Sequence, residues 1–259
     1  MTLNAVYDED EAAAYEALYT AIKDYPSEAA EVAQIIKRLH PDARRLLDVG
    51  CGSGNHLTFL SANFAVEGVE ASAAMAAVAR RRLPGVVVHE ADMRMFDLGH
   101  RFDAVVSLFS AVGYLLTTDD LDRAVERMAR HLDGDGVLVI EPWFGVERWL
   151  EHEEGRVGVN LVEPTDEPSD ALLVRMVRCW SEGPISHMEM HYLHGVPDSI
   201  RHFVEHHELR LFSDAEYRAA FARAGLTVER WEPGLTGRGL YVGRPSTGGG
   251  KGGHDAEPA

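Results

Sequence analysis

The residues whose types and spacing first point to chemistry are a carboxylate and three glycines, Asp48-x-Gly50-x-Gly52-x-Gly54. They follow a short apolar run and precede a helical pattern, so they occupy a turn from a strand into a helix. Glycine lets the backbone turn tightly and approach a ligand closely, and the helix that follows offers free N–H groups. The spacing differs from G-x-x-x-x-G-K-[ST], which argues against a nucleoside triphosphatase.

A second carboxylate, Glu70, ends the next predicted strand, where it is placed to accept hydrogen bonds from a ribose diol. A dinucleotide-binding turn shares both features. Asp48 is the difference, because a carboxylate at the end of the first strand suits a ligand with an ammonium group better than a pyrophosphate. Cys51 lies inside the turn, and we predict that it packs beneath the ligand rather than acting as a nucleophile.

The elements that must position these residues alternate regularly between strand and helix from residue 45 to residue 142. The predicted strands are 45–49, 65–70, 86–90, 103–107 and 136–142, and the predicted helices are 28–39, 55–63, 73–82 and 119–132. Such alternation is typical of an α/β fold with a Rossmann-like, doubly wound, mostly parallel sheet.

The alternation stops after residue 142. Strand patterns at 171–177, 188–193 and 201–211 predict an antiparallel insertion over 143–212. A helix over 213–224 then begins with the capping-box pair Ser213 and Glu216 and stops at Gly225. Two further predicted strands, 227–231 and 239–242, complete the core sheet. The predicted organisation is an N-terminal helical lid (1–44), a core (45–142 and 213–245), the insertion, and a disordered tail (246–259).

Composition limits the classes of function. The chain has 259 residues, with 25 Lys and Arg against 42 Asp and Glu, so its net charge of −17 argues against a nucleic-acid partner. No run of about 20 apolar residues predicts a membrane span, and the acidic N-terminus is unlike a signal peptide. With only two cysteines, Cys51 and Cys179, a disulfide framework is not expected. We therefore predict a cytoplasmic protein.

Histidines crowd the insertion, but their spacing does not favour a metal site. No pair forms the H-E-x-x-H pattern, and the alternation of His187, Glu189 and His191 indicates one face of a strand. We predict that no metal is bound.

The stretch LLDVGCGSGNH (46–56), together with Glu70 and Asp92-Met93, resembles class I S-adenosylmethionine-dependent methyltransferases. The resemblance implies that the glycine turn, with Gly50, Gly52 and Gly54, passes beneath the methionine part of the cofactor. It implies equally that Glu70 holds the ribose, that Asp92 faces the adenine amine, and that Met75 and Met93 wall the adenine pocket.

Further segments are similar to the dTDP-amino-sugar N,N-dimethyltransferases of antibiotic pathways. These are KDYPSEA (23–29), DMRMFDLG (92–99), FDAVVSLFSAVGYL (102–115), VIEPWF (139–144), RHFVEHHELRLF (201–212), FARAGL (221–226) and TGRGLYVG (236–243). The resemblance implies a methyl transfer to the amine of a nucleotide-linked deoxyamino sugar. Methyl transfer from an activated sulfonium mainly needs the two reactants held in line.

Aromatic and basic residues complete the predicted site. The resemblance implies a tyrosine-bearing lid, with Tyr19 near the transferring methyl and Tyr25 at the methionine carboxylate. If the amine binds protonated, Tyr19 and Tyr114 are the candidate bases; the resembling enzymes carry a histidine where this chain has Tyr114. The remaining predicted residues are Phe109 and Asp48 for the cofactor, and Tyr15, Glu141, Trp143, Arg175, Arg201, His202 and Arg238 for the sugar and its diphosphate.

Three alternatives remain at this level: a methyltransferase for another small amine or hydroxyl, a nicotinamide-dependent oxidoreductase, and a non-catalytic S-adenosylmethionine-binding module. The EPWF and TGRG segments speak against the first, and the predicted tyrosine lid against the last. A homodimer is also predicted. The position of the amine on the sugar and the number of methyl groups transferred stay open.

Overall fold

A computed structural model describes residue 16, residues 18–163 and residues 172–246. Its strands, in chain order, are β1 (Arg45–Val49), β2 (Ala65–Glu70), β3 (Val87–Glu90), β4 (Phe102–Ser107), β5 (Leu132–Ile140), β6 (Val157–Val162), β7 (Leu172–Glu182), β8 (Ile185–Val196), β9 (Ser199–Arg210), β10 (Leu226–Trp231) and β11 (Leu240–Pro245). Its helices are α1 (Tyr25–Leu39), α2 (Asn55–Leu60), α3 (Ala73–Arg82), α4 (Thr118–Arg130), α5 (Val146–His152) and α6 (Asp214–Arg223). Residues 18–22 are also helical, and a 3-10 turn spans Ala111–Tyr114.

The central sheet has the strand order β10-β11-β5-β4-β1-β2-β3. Strands β1 to β5 are parallel, whereas β11 runs antiparallel to both β5 and β10. The predicted doubly wound, mostly parallel sheet is therefore confirmed. The order reverses at β1, which has β2 on one side and β4 on the other, and ligands bind at such a switch point beyond the carboxyl ends of the strands.

Helices cover both faces of this sheet because its strands alternate apolar side chains between the faces. Leu46 of β1 packs with α1, α2 and α3, while its neighbour Leu47 packs with α4 and α6. Both leucines are fully buried. Strands buried on both faces account for the continuous apolar runs from which the parallel sheet was predicted.

Strands β6 to β9 form a separate antiparallel sheet in the order β6-β7-β8-β9. The sequence predicted three of these strands, but all three are longer than predicted, and both β6 and α5 were missed. In β6, apolar side chains alternate with Gly158 and Asn160, and Val157, Val159 and Leu161 are about two-thirds exposed. A strand whose apolar residues face outward, with polar or small residues facing inward, lacks the usual signature of burial.

The boundaries of several predicted elements shift by a few residues. Helix α2 ends at Leu60 rather than at residue 63, and β5 begins at Leu132 rather than at residue 136. Gly134 and Gly136 in the first half of β5 hid its strand character. The predicted capping box of α6 is confirmed, since Ser213 and Glu216 exchange hydrogen bonds between side chain and backbone.

Gly225 follows α6 with a φ of +76°, as a helix stop requires. Among the described helices, none is long and apolar enough to cross a membrane. The predicted disordered tail lies outside the described residues except for Ser246.

Candidate active site

One cavity of about 420 Å³ extends from the carboxyl ends of β1, β2 and β4 to the inner face of the antiparallel sheet. The predicted site residues that line it are Tyr19, Tyr25, Asp48, Gly50, Cys51, Gly52, Glu70, Met75, Met93, Phe109, Tyr114, Trp143, Arg175 and Arg238. Gly54, Asp92, Glu141, Arg201 and His202 do not line it, and Tyr15 lies outside the described residues. The fold thus brings together residues from both ends of the chain.

The glycine turn has the geometry that its spacing predicts. Gly50, Gly52 and Gly54 all have φ between +55° and +80°, a region that favours glycine. A Cβ on Gly50 would lie 2.6 Å from the Cβ of Ala111, so the turn presses against the segment after β4. Gly54 is the N-cap of α2, which explains why it does not line the cavity.

Two carboxylates face the cavity beside this turn, the buried Asp48 and the half-buried Glu70. Glu70 accepts hydrogen bonds from the backbone N–H of Gly52 at 2.8 Å and of Ser72 at 2.7 Å. Burial nevertheless raises the pKa of Glu70. Burial, and next the charge of Glu70, raise the pKa of Asp48 to about 7, and Asp48 Oδ1 has no hydrogen-bond partner in the described structure. An unpaired buried carboxylate of this kind fits a cationic ligand.

Cys51 is a buried free cysteine within the glycine turn. Burial raises the pKa of its thiol well above the ordinary value, which disfavours the nucleophilic thiolate. Its side chain lies against Gly68 of β2, where an added Cβ would be 2.7 Å from Sγ.

This contact gives a testable prediction about packing beneath the turn. We expect Gly68→Ala to destabilise the protein by about 1–3 kcal/mol, because the new methyl group overlaps Cys51. Cys51→Ala in the same chain should recover much of that loss by removing the sulfur. Urea unfolding of the two single variants and the double variant measures the coupling, and simple additivity would contradict the contact.

Of the three residues predicted for the adenine pocket, two line the cavity and Asp92 does not. Met75 and Met93 are buried and line the cavity. Asp92 does not, because its carboxylate accepts hydrogen bonds from the Arg94 backbone N–H and guanidinium at 2.5–3.1 Å. Arg94 also reaches Asp120 of α4 at 3.3 Å. No local pattern in the sequence indicates that Arg94, two residues further on, holds this carboxylate.

The segment before α1 forms one wall of the cavity. The Tyr19 ring meets the Phe109 ring edge-on at a centroid distance of 5.1 Å, and the Tyr25 ring meets His56 in the same way at 4.9 Å. His56 is held by Glu28 of α1 at 2.8 Å. The structure thus brings both Tyr19 and Tyr25 to the wall of the cavity.

Arg175 is the cation of the opposite wall. It lies on β7, is only 9% exposed, and donates to the Tyr19 hydroxyl at 2.9 Å and to Asn160 Oδ1 at 2.7 Å. Within the described part of the chain, no carboxylate lies within salt-bridge distance of Arg175. A buried cation without a carboxylate at a cavity wall is a site for an anion.

Arg238, by contrast, is paired with the fully buried Glu141 at 3.0 Å. Glu141 also accepts from Thr236 at 2.6 Å and from the Phe109 backbone N–H at 2.7 Å. Phe109 has a φ of 49°, and Ser110 beside it has a φ of 63°. Glu141, predicted as a sugar ligand, therefore anchors the strained turn that presents Phe109 to the cavity.

Tyr114 takes part in a buried polar chain under the antiparallel sheet. Its hydroxyl lies 3.0 Å from His207 Nδ1, and His207 Nε2 lies 3.0 Å from Glu205 Oε2. Tyr192 donates to the same Glu205 oxygen at 3.0 Å. All four residues line the cavity.

Arg201 and His202 do not reach the cavity. Both are exposed near the start of β9, where Arg201 lies 3.3 Å from His194 and His202 lies 3.2 Å from His191. The structure therefore does not place Arg201 and His202 at the cavity wall, as a contact with a sugar there would require. Among the residues that the structure describes, no group of three or more His, Cys, Asp or Glu side chains is arranged to hold a metal.

Comparisons with known proteins identify the family. A model described as "Methyltransferase domain" matches residues 46–136. The chain is 43% identical to the dTDP-3-amino-3,4,6-trideoxy-alpha-D-glucopyranose N,N-dimethyltransferase of Streptomyces venezuelae, over 93% of this chain and 100% of that one. The chain belongs to the sugar N,N-dimethyltransferase family.

Two other members extend the comparison. The dTDP-4-amino-2,3,4,6-tetradeoxy-D-glucose N,N-dimethyltransferase of Saccharopolyspora spinosa is 39% identical over 93% of this chain and 94% of its own length. The S-adenosylmethionine-bound structure of CalS10, an amino pentose methyltransferase from Micromonospora echinaspora, aligns with a TM-score of 0.81 at 44% identity, covering 93% of this chain and 98% of that one. The methyl donor of this family is S-adenosylmethionine.

The observed site fits that donor. The buried Asp48 Oδ1 has no hydrogen-bond partner in the described structure, and its carboxylate lines the cavity where a cationic donor would bind. Asp48, Glu70, Met75 and Met93 are the residues placed to hold it. When bound, S-adenosylmethionine supplies an electrophilic methyl group.

Sequence reasoning missed several residues of this sugar N,N-dimethyltransferase site. These are His56, Asn160, Tyr192, Glu205 and His207, all at the cavity wall. The last three occupy alternate positions of β8 and β9 that face inward, in register with Phe203 and Met188 of the neighbouring strands. The available signal was the alternation of side chains between the two faces of each strand, since Arg175 lies opposite Tyr192 and alternate residues share its face.

Proposed function

We propose that this protein transfers two methyl groups from S-adenosylmethionine to the amine of a dTDP-linked deoxyamino sugar in an antibiotic pathway. The observation that carries the proposal is one continuous cavity that joins the carboxylates Asp48 and Glu70 to the cationic wall at Arg175. A methyl donor and an anionic nucleotide sugar require these opposite charges at the two ends. The names of the relatives support the same reaction class.

In this proposal the two ends have separate tasks. Asp48 offsets the positive charge of the donor, and Glu70 accepts from its ribose. Arg175 binds the diphosphate, while Arg238 stays paired with Glu141 at the same wall, and the sugar amine lies between Tyr19 and Tyr114. Alignment of the amine with the methyl group is the main contribution, because fixing two reactants in line removes much of the entropic barrier.

The test is mass spectrometry of products after incubation with S-adenosylmethionine and a panel of dTDP-3-amino and dTDP-4-amino deoxyhexoses. A gain of two methyl units on one isomer is expected and also assigns the position of the amine. If no sugar of the panel is methylated although calorimetry confirms donor binding, the proposed function is wrong. The family membership would be unaffected.

The diphosphate assignment makes a quantitative prediction. We expect Arg175→Met to raise KM for the nucleotide sugar about 10-fold to 100-fold, since a charge-assisted hydrogen bond contributes about 1.5–3 kcal/mol. The affinity for S-adenosylmethionine should stay unchanged. Arg178→Met is the matched control, because Arg178 lies on the outer face of the same strand with its side chain 59% exposed. Equal effects on both substrates would contradict the assignment.

A homodimer and a cytoplasmic location remain predictions from the sequence. The outer face of the antiparallel sheet exposes Val159, Leu161 and Met176, each by more than half. Light scattering coupled to gel filtration measures the mass of the particle in solution and tests the first.

A further inference from the structure

Hydrogen bonds link the side chains of Tyr114, His207 and Glu205 in one continuous series. The two contacts at His207 are both 3.0 Å long and join its two ring nitrogens to different partners. The side chains of His207 and Glu205 are only 3% and 2% exposed. The three residues come from two distant parts of the chain, the 3-10 turn after β4 and the inner face of β9.

The direction of each hydrogen bond follows from the partners. Burial raises the pKa of Tyr192, so its hydroxyl keeps its proton and donates to Glu205 Oε2. A carboxylate that accepts there also accepts from His207 Nε2. In the neutral imidazole the other nitrogen, Nδ1, is then the acceptor, and Tyr114 donates to it. The imidazole is thus held with its basic nitrogen towards the cavity wall.

Tyrosine hydroxyls and arginine side chains surround Tyr114, His207 and Glu205 in the described structure. The titratable and charged groups on the elements around them are Tyr19, Arg175, Tyr192, Arg210 and Arg238. Arg238 is compensated by Glu141, and Arg210 by Glu216 at 3.0 Å. Glu205 Oε1 is buried without a partner among the described residues, so this carboxylate has spare capacity to stabilise a neighbouring positive charge.

We propose that Tyr114, His207 and Glu205 form a proton relay that deprotonates the sugar ammonium before each methyl transfer. The proposal rests on the proposed function and adds to it the path of the proton. Tyr114 is the catalytic residue, since it lines the cavity where the amine is placed. His207 accepts the proton, and Glu205 orients the imidazole and balances its charge.

The step conserves atoms and charge. The ammonium N–H bond breaks as a Tyr114 O–H bond forms, while the original phenol proton moves to His207 Nδ1. The products are a neutral amine and an imidazolium beside the Glu205 carboxylate. The amine lone pair then forms the N–C bond as the C–S bond of the sulfonium breaks, which leaves a methylated ammonium and S-adenosylhomocysteine.

Electrostatics favour this transfer. An ammonium has no lone pair with which to attack, and its charge repels the sulfonium that it must approach. The relay moves the positive charge away from the donor and next to a buried carboxylate, where the pair is stabilised. A second methyl transfer requires a second deprotonation, because the monomethyl product is an ammonium ion that must also lose a proton. His207 therefore has to release its proton to solvent between the two transfers.

The test compares Tyr114→Phe and His207→Gln with the wild type across pH. Glutamine can form hydrogen bonds with both partners of the imidazole, but it does not accept a proton in the pH range of the assay. His206→Gln is the matched control, since His206 is the next residue on β9 and points outward with its side chain 65% exposed. Melting temperature and S-adenosylmethionine affinity are measured for every variant.

We expect both relay variants to lower kcat about 100-fold at pH values below the pKa of the amine, within the usual range for general-base catalysis. Above that pH the amine arrives neutral, and their rates should approach the wild-type rate. The fraction of monomethyl product should rise at neutral pH, because the second deprotonation is also impaired. The control should match the wild type throughout.

A loss of the same factor at every pH, or an unchanged ratio of monomethyl to dimethyl product, would overturn the relay and leave the proposed function intact. A wild-type protein that methylates no dTDP-amino sugar would overturn the proposed function and the relay with it. If His207→Gln melts below the assay temperature, Tyr114→Phe and Glu205→Gln give the same comparison, because Tyr114→Phe removes a single oxygen and Glu205→Gln removes only the charge.

Discussion

Replacement of Glu141 by alanine is expected to destabilise the protein by about 3–5 kcal/mol, the cost of leaving a buried charge without its partner. Arg238 would lose its carboxylate while its side chain remains 8% exposed. The Phe109 backbone N–H would lose its acceptor at a residue with a φ of 49°. Since many domains have only 5–15 kcal/mol of total stability, this change alone should lower the urea midpoint markedly.

The double variant separates the buried charge from the other contacts. Glu141→Ala with Arg238→Met removes both charges, so it should unfold at higher urea than Glu141→Ala alone. Glu141→Gln keeps an acceptor for Phe109 and Thr236 and should lie between the wild type and Glu141→Ala. If the two single effects simply add, Arg238 is not stabilised by Glu141 and this account of the turn is wrong.

Replacement of Asp48 by asparagine should weaken S-adenosylmethionine binding about 10-fold to 100-fold at pH 8, because it removes the charge opposite the cationic donor. The pKa of Asp48 is about 7 in the free protein, so the wild-type affinity should fall as pH drops below 7, with protons released on binding. The affinity of the Asp48→Asn variant for S-adenosylmethionine should depend much less on pH. Calorimetry at pH 6, 7 and 8, in buffers of different ionisation enthalpy, measures both quantities.

The same substitution should act in the opposite direction on the stability of the free protein. An acid whose folded pKa lies above its unfolded value of 3.8 binds its proton more tightly when folded, so its contribution to stability falls as pH rises from about 4 to 7. Asp48→Asn should therefore raise the melting temperature, relative to wild type, more at pH 8 than at pH 5.

Asp103→Asn provides a control of opposite sign. Asp103 accepts hydrogen bonds from the backbone N–H groups of Arg44 and Arg45, and its pKa is lowered despite partial burial. Its contribution is present at high pH and lost as pH falls through the folded pKa, so this variant should lose stability at pH 8. A melting-temperature difference for Asp48→Asn that does not change with pH would rule out the buried charge as its cause.

The sequence predicted the core of the fold because the signals there are local. Strand β1, for example, is a short apolar run whose end is marked by Gly50, and Gly54 immediately precedes α2. The capping box of α6 is likewise a four-residue pattern. Where the signal was weak the prediction failed: β6 exposes its apolar side chains, and the start of β5 is interrupted by glycines.

The predicted residues of the cofactor side lie close together for the same reason. Asp48 and Glu70 end neighbouring parallel strands, and parallel strands that end at one edge bring those residues together whatever follows. The family resemblance then named the ligand. Arg201 and His202, which were predicted to contact the sugar, lie outside the cavity, because strand register decides which residues of an antiparallel sheet reach it.

By itself the sequence determined the fold class, the cofactor turn and the family, because apolar periodicity, glycine spacing and a few particular segments are local properties of the chain. Tertiary structure alone decided which charges meet. It paired Asp92 with Arg94 and Arg238 with Glu141, left Arg175 without a carboxylate in the described structure, and joined Tyr114 to His207 across 93 residues. Such pairings depend on distances between separate elements, and burial makes each of them strong enough to define the chemistry of the site.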